Sequence, residues 1–569
     1  MKLFAALILL LAARAAAQIY SDAVYFNGNV ITVSDSRPAA QAFAVRGNRF
    51  VAVGTDKEAL AMAGPKTRKI DLQGRTVVPG IVEAHTHPTG AAMSERDVPV
   101  PVMRTIPEVQ EFIRQEARRL PPDRIIFVPK VYPSRLNERR YPTRYDLDAV
   151  SGGRLAMTDN GYASVLNSAL IAKLKITRDT PQPGDGKIIM DARGEPTGLI
   201  LGATQILGPL RRSRPQTYDD VLWAIRSMNK AYNAVGITST FDRGQGAEGV
   251  RAYQQLRNQG ELTVRTNISY RIDTRGTPKD VREEMTRIPL VTGAGDEWVR
   301  IGPIKTVVDG GILLGTAYMR EPWGDKTQIY GYVDPDYRGV LGVAKENLVE
   351  MARTANQLGW QMTAHTAGGG AVDVLLDAYE AADRDRPIRD RRFTVTHGNF
   401  ANAASIERSK RMGVLWDCQI AWHYLDGPAL KEAFGPERMK QFLPFRTMMD
   451  AGLLVAGGSD HMIRFDSRNA INPYHPFYGM WMSITRKGVD GPPLTPAERI
   501  SRMEALKMWT TNGAYMGFEE KLKGSIEPGK LADFAVITKD YLNCPEDDIK
   551  DIEAVATVVD GKLVYGKLE

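Results

Sequence analysis

The sequence predicts an α/β protein whose parallel core is flanked by a small β unit built from both chain ends. Short apolar strands alternate with helical patterns through the middle of the 569-residue chain, for example at the helical segments 345–357 and 371–382, and this alternation is typical of a parallel sheet. Alternating β segments lie at 19–70 and 531–565. At this length we expect two or three domains, or one large barrel with an attached module.

Charge and the first residues limit the class of protein. Lys and Arg number 74 against 67 Asp and Glu, and the excess of +7 is spread without long basic runs, so we expect no nucleic-acid partner. Residues 1–17 have the form of a secretory signal, with Lys2, an apolar run at 3–11 and an Ala-x-Ala site before Gln18. No later stretch is apolar enough to span a membrane. We expect an exported, periplasmic or extracellular protein without stable membrane insertion.

The two ends are predicted to form one module. Strand patterns at 23–26 and 42–45 are matched near the C-terminus by 531–537 and 554–559, with an Asp560-Gly561 hairpin signal. Because chain ends often lie close together, these segments can close into one sandwich. Predicted boundaries are a signal at 1–17, sandwich parts at 18–78 and 518–569, and a central domain at 79–517. Cys418 and Cys544 leave open whether a disulfide forms.

The central domain offers nine candidate strands for eight places in a barrel, so one is an insertion or a misassignment. One ends at His85, and the others are at 124–128, 154–158, 236–241, 299–308, 360–364, 393–396, 413–416 and 453–456. The Gly- and Pro-rich segment around 168–214 is interpreted as a long loop insertion that could cover a pocket.

Metal-ligating residue types recur at the ends of these strands. His85 and His87 close an apolar run, and alternation places both imidazoles on one side of its C-terminal end. Further along, the strand patterns contain or end at Lys305, His365, His397 and Asp460. Each has a plainer role in isolation, as an ion-pair lysine, a packing histidine or a helix N-cap. In a parallel barrel, however, the C-terminal strand ends converge on one face, so the whole set predicts a metal site.

With this ligand set the chain resembles the amidohydrolase superfamily, in particular the YtcJ-like metal-dependent hydrolases that include N-substituted formamide deformylases. The resemblance covers nearly the whole mature chain. Besides the ligands it includes the segments 165–170, 194–199, 236–239, 511–515 and 523–533.

The resemblance implies a (β/α)8 TIM-like barrel with a small composite β-sandwich, and one or two divalent metal ions. His85 and His87 would hold one ion with Asp460, His365 and His397 would hold a second, and Lys305 would bridge them as a carbamate. Histidine and oxygen ligands suit Zn²⁺, while iron, manganese and nickel stay open.

The implied activity is hydrolysis of an amide-type, non-peptide C–N bond in a small molecule. The metal would activate a water, and Asp460 would be the general acid and base. Four alternatives stay open on the same fold: a hydrolase of a cyclic amide, of an ester or of an N-acyl amino acid, and a non-catalytic binding relative. The oligomeric state is also open, with a homodimer as one option.

Several positions depart from the pattern of these relatives or follow Lys305 closely. Glu83 stands where relatives commonly have Asp, and it is predicted to orient His85. Arg320 is predicted either to bind a substrate carboxylate or to pair with Glu321 or another acid. The residues predicted to contact substrate are Tyr162, Tyr318, Arg320, Trp323 and His461.

Overall fold

The computed structural model describes residues 20–96, 99–184, 186–211, 216–332, 334–489 and 491–568. The predicted signal at 1–17 therefore lies outside the described residues. Within the described ranges, none of the helices combines the length and apolar character needed to cross a bilayer. Cys418 and Cys544 are both free thiols.

The strands are numbered in chain order. They are β1 (Ser21–Phe26), β2 (Asn29–Ile31), β3 (Ala39–Ala40), β4 (Ala42–Arg46), β5 (Arg49–Gly54), β6 (Ala63–Asp71), β7 (Thr76–Pro79), β8 (Ile81–Thr86), β9 (Ile126–Pro129), β10 (Ala156–Asp159), β11 (Ala163–Leu166), β12 (Gly186–Met190), β13 (Pro196–Gly202), β14 (Ile237–Gln245), β15 (Arg265–Arg271), β16 (Val299–Val307), β17 (Met362–Thr366), β18 (Thr394–His397), β19 (Leu415–Cys418), β20 (Val455–Gly457), β21 (Phe534–Ile537), β22 (Ala554–Val559) and β23 (Lys562–Gly566).

The helices mostly follow strands, and many begin at side-chain caps. Thr105, Thr217, Thr277 and Ser501 each form a capping box, which supplies acceptors for first-turn N–H groups. The α-helices are Asp56–Leu60, Pro88–Ser94, Ile106–Arg119, Arg144–Ser151, Ser168–Lys173, Thr204–Leu207, Tyr218–Asn233, Ala247–Asn258, Pro278–Arg287, Lys345–Leu358, Gly369–Asp385, Ala403–Met412, Ala421–Leu425, Gly427–Met439, Phe445–Asp450, Pro476–Thr485, Arg502–Met508 and Thr511–Met516.

Eight parallel strands form the predicted barrel. Their order around the sheet is the chain order, β8 and then β14 to β20. A parallel bridge between Thr86 and His461 joins the chain beyond β20 to β8. The α/β barrel fold is thus confirmed, and all eight C-terminal strand ends lie on one face.

The two chain ends meet in a sandwich of two sheets. One sheet has the order β5-β4-β1-β6, and the other has β23-β22-β21-β7-β2-β3. The aromatic rings of Tyr25, Phe43, Phe50 and Phe534 pack between them. The predicted hairpin is confirmed: Asp560 and Gly561 have positive φ and connect the antiparallel strands β22 and β23.

The insertion is a folded unit and is larger than the sequence pattern predicts. Strands β9 to β13 form a sheet of order β12-β13-β11-β10-β9. The predicted loop around 168–214 holds two short helices and two of these strands in its described part. Ser134 and Arg135 bind Asp426, which follows the helix after β19. The insertion therefore packs on the same side of the barrel as the C-terminal strand ends.

Two of the predicted barrel strands are corrected by this topology. The candidates at 124–128 and 154–158 are β9 and β10 of the insertion sheet, and the barrel place they leave is taken by β15. The sequence of β15, Arg-Thr-Asn-Ile-Ser-Tyr-Arg, lacks an apolar run. Its Ser269 faces the polar barrel interior, where its hydroxyl receives a hydrogen bond from Arg243.

Candidate metal centre

The six predicted ligands converge at the C-terminal face of the barrel. Four of them lie on strands and two follow strands: His85 is on β8, Lys305 on β16, His365 on β17 and His397 at the end of β18, while His87 follows β8 and Asp460 follows β20. Residues 375 positions apart in the chain thereby share one site.

His85, His87 and Asp460 present three donor atoms to one point. Asp460 Oδ1 lies 3.3 Å from His85 Nε2 and 3.2 Å from His87 Nε2. The three donor atoms all lie within 4.8 Å of one another. Ligands placed tetrahedrally around zinc at about 2.0–2.1 Å are about 3.3–3.4 Å apart, so this donor set fits a divalent metal ion.

The orientation of His85 is fixed by a buried carboxylate. Asp417 Oδ2 lies 2.9 Å from His85 Nδ1 and 3.2 Å from an Arg243 nitrogen. The carboxylate accepts a hydrogen bond from Nδ1–H, which leaves the Nε2 lone pair for a metal. Burial, followed by the positive charge of Lys305, lowers the pKa of His85 well below its usual value, so the ring is neutral.

Lys305 enters the site beside His85. Its Nζ lies 3.1 Å from His85 Nε2, and its side chain is buried. Burial is the largest cause that lowers the pKa of Lys305, to about 8, while Asp460 opposes the shift.

His365 and His397 form the second imidazole pair. Their ring centroids are 4.4 Å apart, and His397 is 4.9 Å from His85. Gln419 Oε1 lies 2.6 Å from His397 Nδ1 and its Nε2 donates to Asp417, so His397 Nε2 is the nitrogen suited to a metal. His365 Nε2 contacts the Gly310 carbonyl at 3.2 Å. Burial lowers the pKa of His365 to about 4.

Asp460 is held in an unusual backbone conformation. Its φ is +55°, in the left-handed region that a non-glycine residue seldom adopts. The Asp460 N–H donates to the His85 carbonyl at 2.8 Å, and the Asn472 amide donates to the Asp460 carbonyl at 2.8 Å. Trp422 donates its indole N–H to Asn472 Oδ1 and packs 4.9 Å from His397. These contacts fix the direction of the carboxylate.

Glu83 lies beneath this centre and contacts the His85 backbone. Its Oε1 accepts from the N–H groups of Ser459 at 2.7 Å and His85 at 3.3 Å. Burial raises the pKa of Glu83 to about 8. The imidazole of His85, which Glu83 was predicted to orient, is instead bound by Asp417.

Three of the predicted substrate contacts are engaged elsewhere. Arg320 forms a bidentate pair with Asp373 and donates to the Phe400 carbonyl, which matches the ion-pair interpretation with another acid. Trp323 is buried, and its indole N–H donates to the Ala317 carbonyl. Both His461 nitrogens are within hydrogen-bond distance of protein oxygens, one on Tyr232 and one on Arg464. Each of these three side chains therefore has hydrogen-bond partners within the protein.

The two tyrosines predicted to contact substrate are Tyr162, in the insertion between β10 and β11, and Tyr318, in the segment after β16. The Tyr162 hydroxyl is 3.4 Å from that of Tyr332, so it joins the insertion to the segment after β16. The backbone N–H of Tyr318 donates to the buried Asp309, which also accepts from Ala367 and Gly368. Asp309 thus ties the segment after β16 to the segment after His365.

The barrel and its convergent ligands define a metal-dependent hydrolase. The amidohydrolase family model matches residues 68–565, and the chain belongs to the amidohydrolase family. It is an enzyme that acts on carbon–nitrogen bonds other than peptide bonds.

The chain is also similar to individual proteins over nearly its whole length. It is 29% identical to the N-substituted formamide deformylase of Arthrobacter pascens, covering 96% of this chain and 98% of the relative. It is 26% identical to YtcJ of Bacillus subtilis (strain 168), covering 96% and 99%. An uncharacterized metal-dependent hydrolase of Pyrococcus horikoshii OT3 shares the fold, with a TM-score of 0.67, 21% identity and coverage of 92% and 99%.

Proposed function

We propose that this enzyme hydrolyses the C–N bond of a small non-peptide amide, with Asp460 as general acid and base. The observation that carries this proposal is the position of Asp460 Oδ1, within 3.3 Å of two imidazole nitrogens and on a constrained backbone. A relative of 29% identity is an N-substituted formamide deformylase, which supports an amide as the substrate.

His85, His87 and Asp460 are proposed to hold a divalent ion, Zn²⁺ in the first instance. His365 and His397 are the donors for a second ion. A divalent metal ion at this position would lower the pKa of a water bound to it and would polarise the substrate carbonyl. The chain contributes orientation, since Asp417 and Gln419 each accept from an Nδ1–H and direct the opposite ring nitrogens inward.

Asp460 is proposed to move the proton. Its carboxylate accepts a proton from the attacking water and returns it to the leaving nitrogen, which requires hydrogen-bond contact with both. The Asn472 amide nitrogen lies 2.8 Å from the Asp460 carbonyl and 3.5 Å from its Oδ2, so it holds the backbone and side chain of Asp460 in one arrangement.

Lys305 is proposed to act as a carbamate. Its Nζ lies 3.1 Å from the His85 nitrogen that would bind metal. An ammonium group there would stand next to the metal ion, so that two positive charges would repel each other. Reaction of the lysine amine with carbon dioxide instead gives an anionic, carboxylate-like ligand. Metal uptake by apo-protein should therefore increase with added bicarbonate, and Lys305→Arg should abolish that dependence.

The proposal is tested with a panel of N-formyl and N-acyl amines. The wild-type enzyme should release equal amounts of amine and acid, whereas a hydrolase of cyclic amides would release neither from these compounds. Asp460→Asn should lower kcat by at least about 10²-fold while most of the metal stays bound. Asp377→Asn, at an exposed ion pair with Arg408, is the control. Normal turnover by Asp460→Asn would remove it from the acid–base role.

We also propose that the enzyme is exported. The support is the charged start, apolar run and Ala-x-Ala site of residues 1–17. N-terminal sequencing of the protein produced in a bacterium with a periplasm should begin at Gln18, and an intact Met1 on cytoplasmic protein would contradict export.

A further inference from the structure

A cavity of about 610 Å³ opens at the C-terminal ends of β15 and β16, and Arg271 and Val307 line it. The barrel face on which it opens is the face that carries the metal ligands. Lys305 lies two residues before Val307 on the same strand. None of the six proposed ligands lines the cavity, but Val307 is the strand partner of His365, so the cavity lies next to the ligands along the barrel mouth.

Strand register places the Arg271 side chain on the inner side of the barrel. Arg271 and Lys305 are partners in the parallel pairing of β15 and β16, so their side chains lie on the same face of the sheet. Lys305 points inward, because its Nζ contacts His85. Ser269, two residues before Arg271, also points inward and contacts Arg243. Arg271 thus projects into the barrel mouth, on the strand adjacent to Lys305.

Arg271 interacts with Asp273 only through charge: the pKa of Asp273 is lowered first by its hydrogen bonds with Arg275 and last by the positive charge of Arg271. The Arg271 side chain is exposed, and no hydrogen bond or ion pair joins it to another described residue. The two acids of the cavity take part in hydrogen bonds with other groups: Asp273 accepts from Arg275, and Glu284 accepts from the Asp273 N–H. In contrast, the guanidinium of Arg320 is neutralised by Asp373. The planar donor set of Arg271 is therefore available to an anion.

An apolar contact lies beside this cation. Val307 follows the same inward alternation as Lys305, yet 46% of it is exposed. An exposed valine at the mouth of a polar site can pack against an aliphatic group of a ligand.

We infer that this cavity binds a substrate carboxylate through Arg271, with Val307 against an adjacent aliphatic group. The substrate class is then an amide that carries a free carboxylate, such as an N-acylated aliphatic amino acid. This inference rests on the proposed amide hydrolysis and selects among its substrates. A guanidinium can bind a carboxylate through two parallel hydrogen bonds, which gives both affinity and orientation.

The test compares matched amides with and without the carboxylate. N-formyl-leucine and N-formyl-isoamylamine differ only in that group, and N-isoamylsuccinamate places a carboxylate on the acyl side instead. Wild-type enzyme should prefer at least one of the acids, and Arg271→Met should lower kcat/KM for that acid by about 10- to 100-fold, mainly through KM. The neutral amide should change less than about twofold. Arg275→Met, in the same cavity, should leave the preference unchanged, and Arg271→Lys should restore part of it.

Direct binding separates failure of this inference from failure of the proposed function. If wild-type enzyme hydrolyses the neutral amide as well as both acids, or if Arg271→Met lowers all activities equally, the carboxylate site is refuted while amide hydrolysis stands. If no amide is hydrolysed, calorimetric titration with the same compounds decides: acid binding that is lost in Arg271→Met supports the site, and equal binding of acid and neutral compound overturns it.

Discussion

His85 shows how one side chain depends on residues remote in sequence. Its Nδ1 binds Asp417, 332 positions away, and its Nε2 faces Asp460 and Lys305. Asp417 is in turn bound by Arg243 and Gln419. The neutral, correctly oriented imidazole is therefore a property of several strands acting together.

Replacing Asp417 tests this dependence. Asp417→Asn removes the negative charge that accepts the hydrogen bond from His85 Nδ1–H and pairs with Arg243, so the affinity for a divalent metal should fall about 10- to 100-fold. Competition with a chromogenic chelator measures that affinity. Asp377→Asn serves as the control because its carboxylate is exposed. Unchanged affinity in Asp417→Asn would show that His85 is oriented by other contacts.

The sequence indicates the metal ligands more readily than the residues that orient them. His85, His87, His365, His397 and Asp460 follow apolar strands, and this repeated pattern is visible in one dimension. Asp417 and Asn472 have no such signal, because their function arises only when separate strands and loops meet. The one local sign of Asp417 is a charge between Trp416 and Cys418 in a buried strand.

At the scale of elements, polarity hides some strands from sequence analysis. Strand β15 lines a polar interior, so its alternate residues are Asn267, Ser269 and Arg271 instead of an apolar run. Strands β9 and β10 are apolar but form their own sheet in the insertion. An apolar pattern therefore predicts that a strand is buried, but it does not distinguish a barrel strand from a strand of an inserted sheet.

The sandwich contains a polar contact that should make stability depend on pH. Glu527 binds Lys530, Ser525 and, 493 positions away, Ser34. Burial would raise the pKa of Glu527, but these hydrogen bonds lower it from 4.5 to about 2. Because the folded-state pKa is below the unfolded value, the stabilisation is present above about pH 4.5 and is lost as pH falls towards 2.

Glu527→Gln measures this contribution. Its Tm should be lower than that of wild type at pH 7, by roughly 1–3 °C, and the difference should shrink between pH 4.5 and pH 3. Thermal unfolding followed by circular dichroism records both values. Glu546→Gln, at an exposed pair with Arg499, should show a smaller difference at pH 7. A difference for Glu527→Gln that is independent of pH would contradict the role of its charge.

At the scale of the whole molecule, a buried arginine joins the barrel to the sandwich. Arg265, at the start of β15, binds both oxygens of Asp533 at 2.7 and 3.0 Å and one oxygen of Asp560 at 3.0 Å. Both acids belong to the C-terminal part of the sandwich. The two domains are therefore linked by a desolvated ion pair as well as by apolar contacts.

Breaking this link should destabilise both domains together. Arg265→Met leaves Asp533 buried without its partner, which costs about 3–5 kcal/mol of unfolding free energy. Urea unfolding followed by fluorescence measures the change, with Arg257→Met at the exposed pair with Asp296 as a control expected to cost less than about 1 kcal/mol. Equal effects of the two variants would show that the pair does not couple the domains.

The central claim is that His85, His87 and Asp460 hold a divalent ion required for hydrolysis. Elemental analysis of the purified protein, with the amide assay on the same sample, tests it most directly. We predict at least one divalent ion per wild-type chain, and loss of both metal and turnover in the His85→Ala/His87→Ala variant. Full metal content in that variant, or undiminished turnover by wild-type protein shown to be metal-free, would contradict the claim.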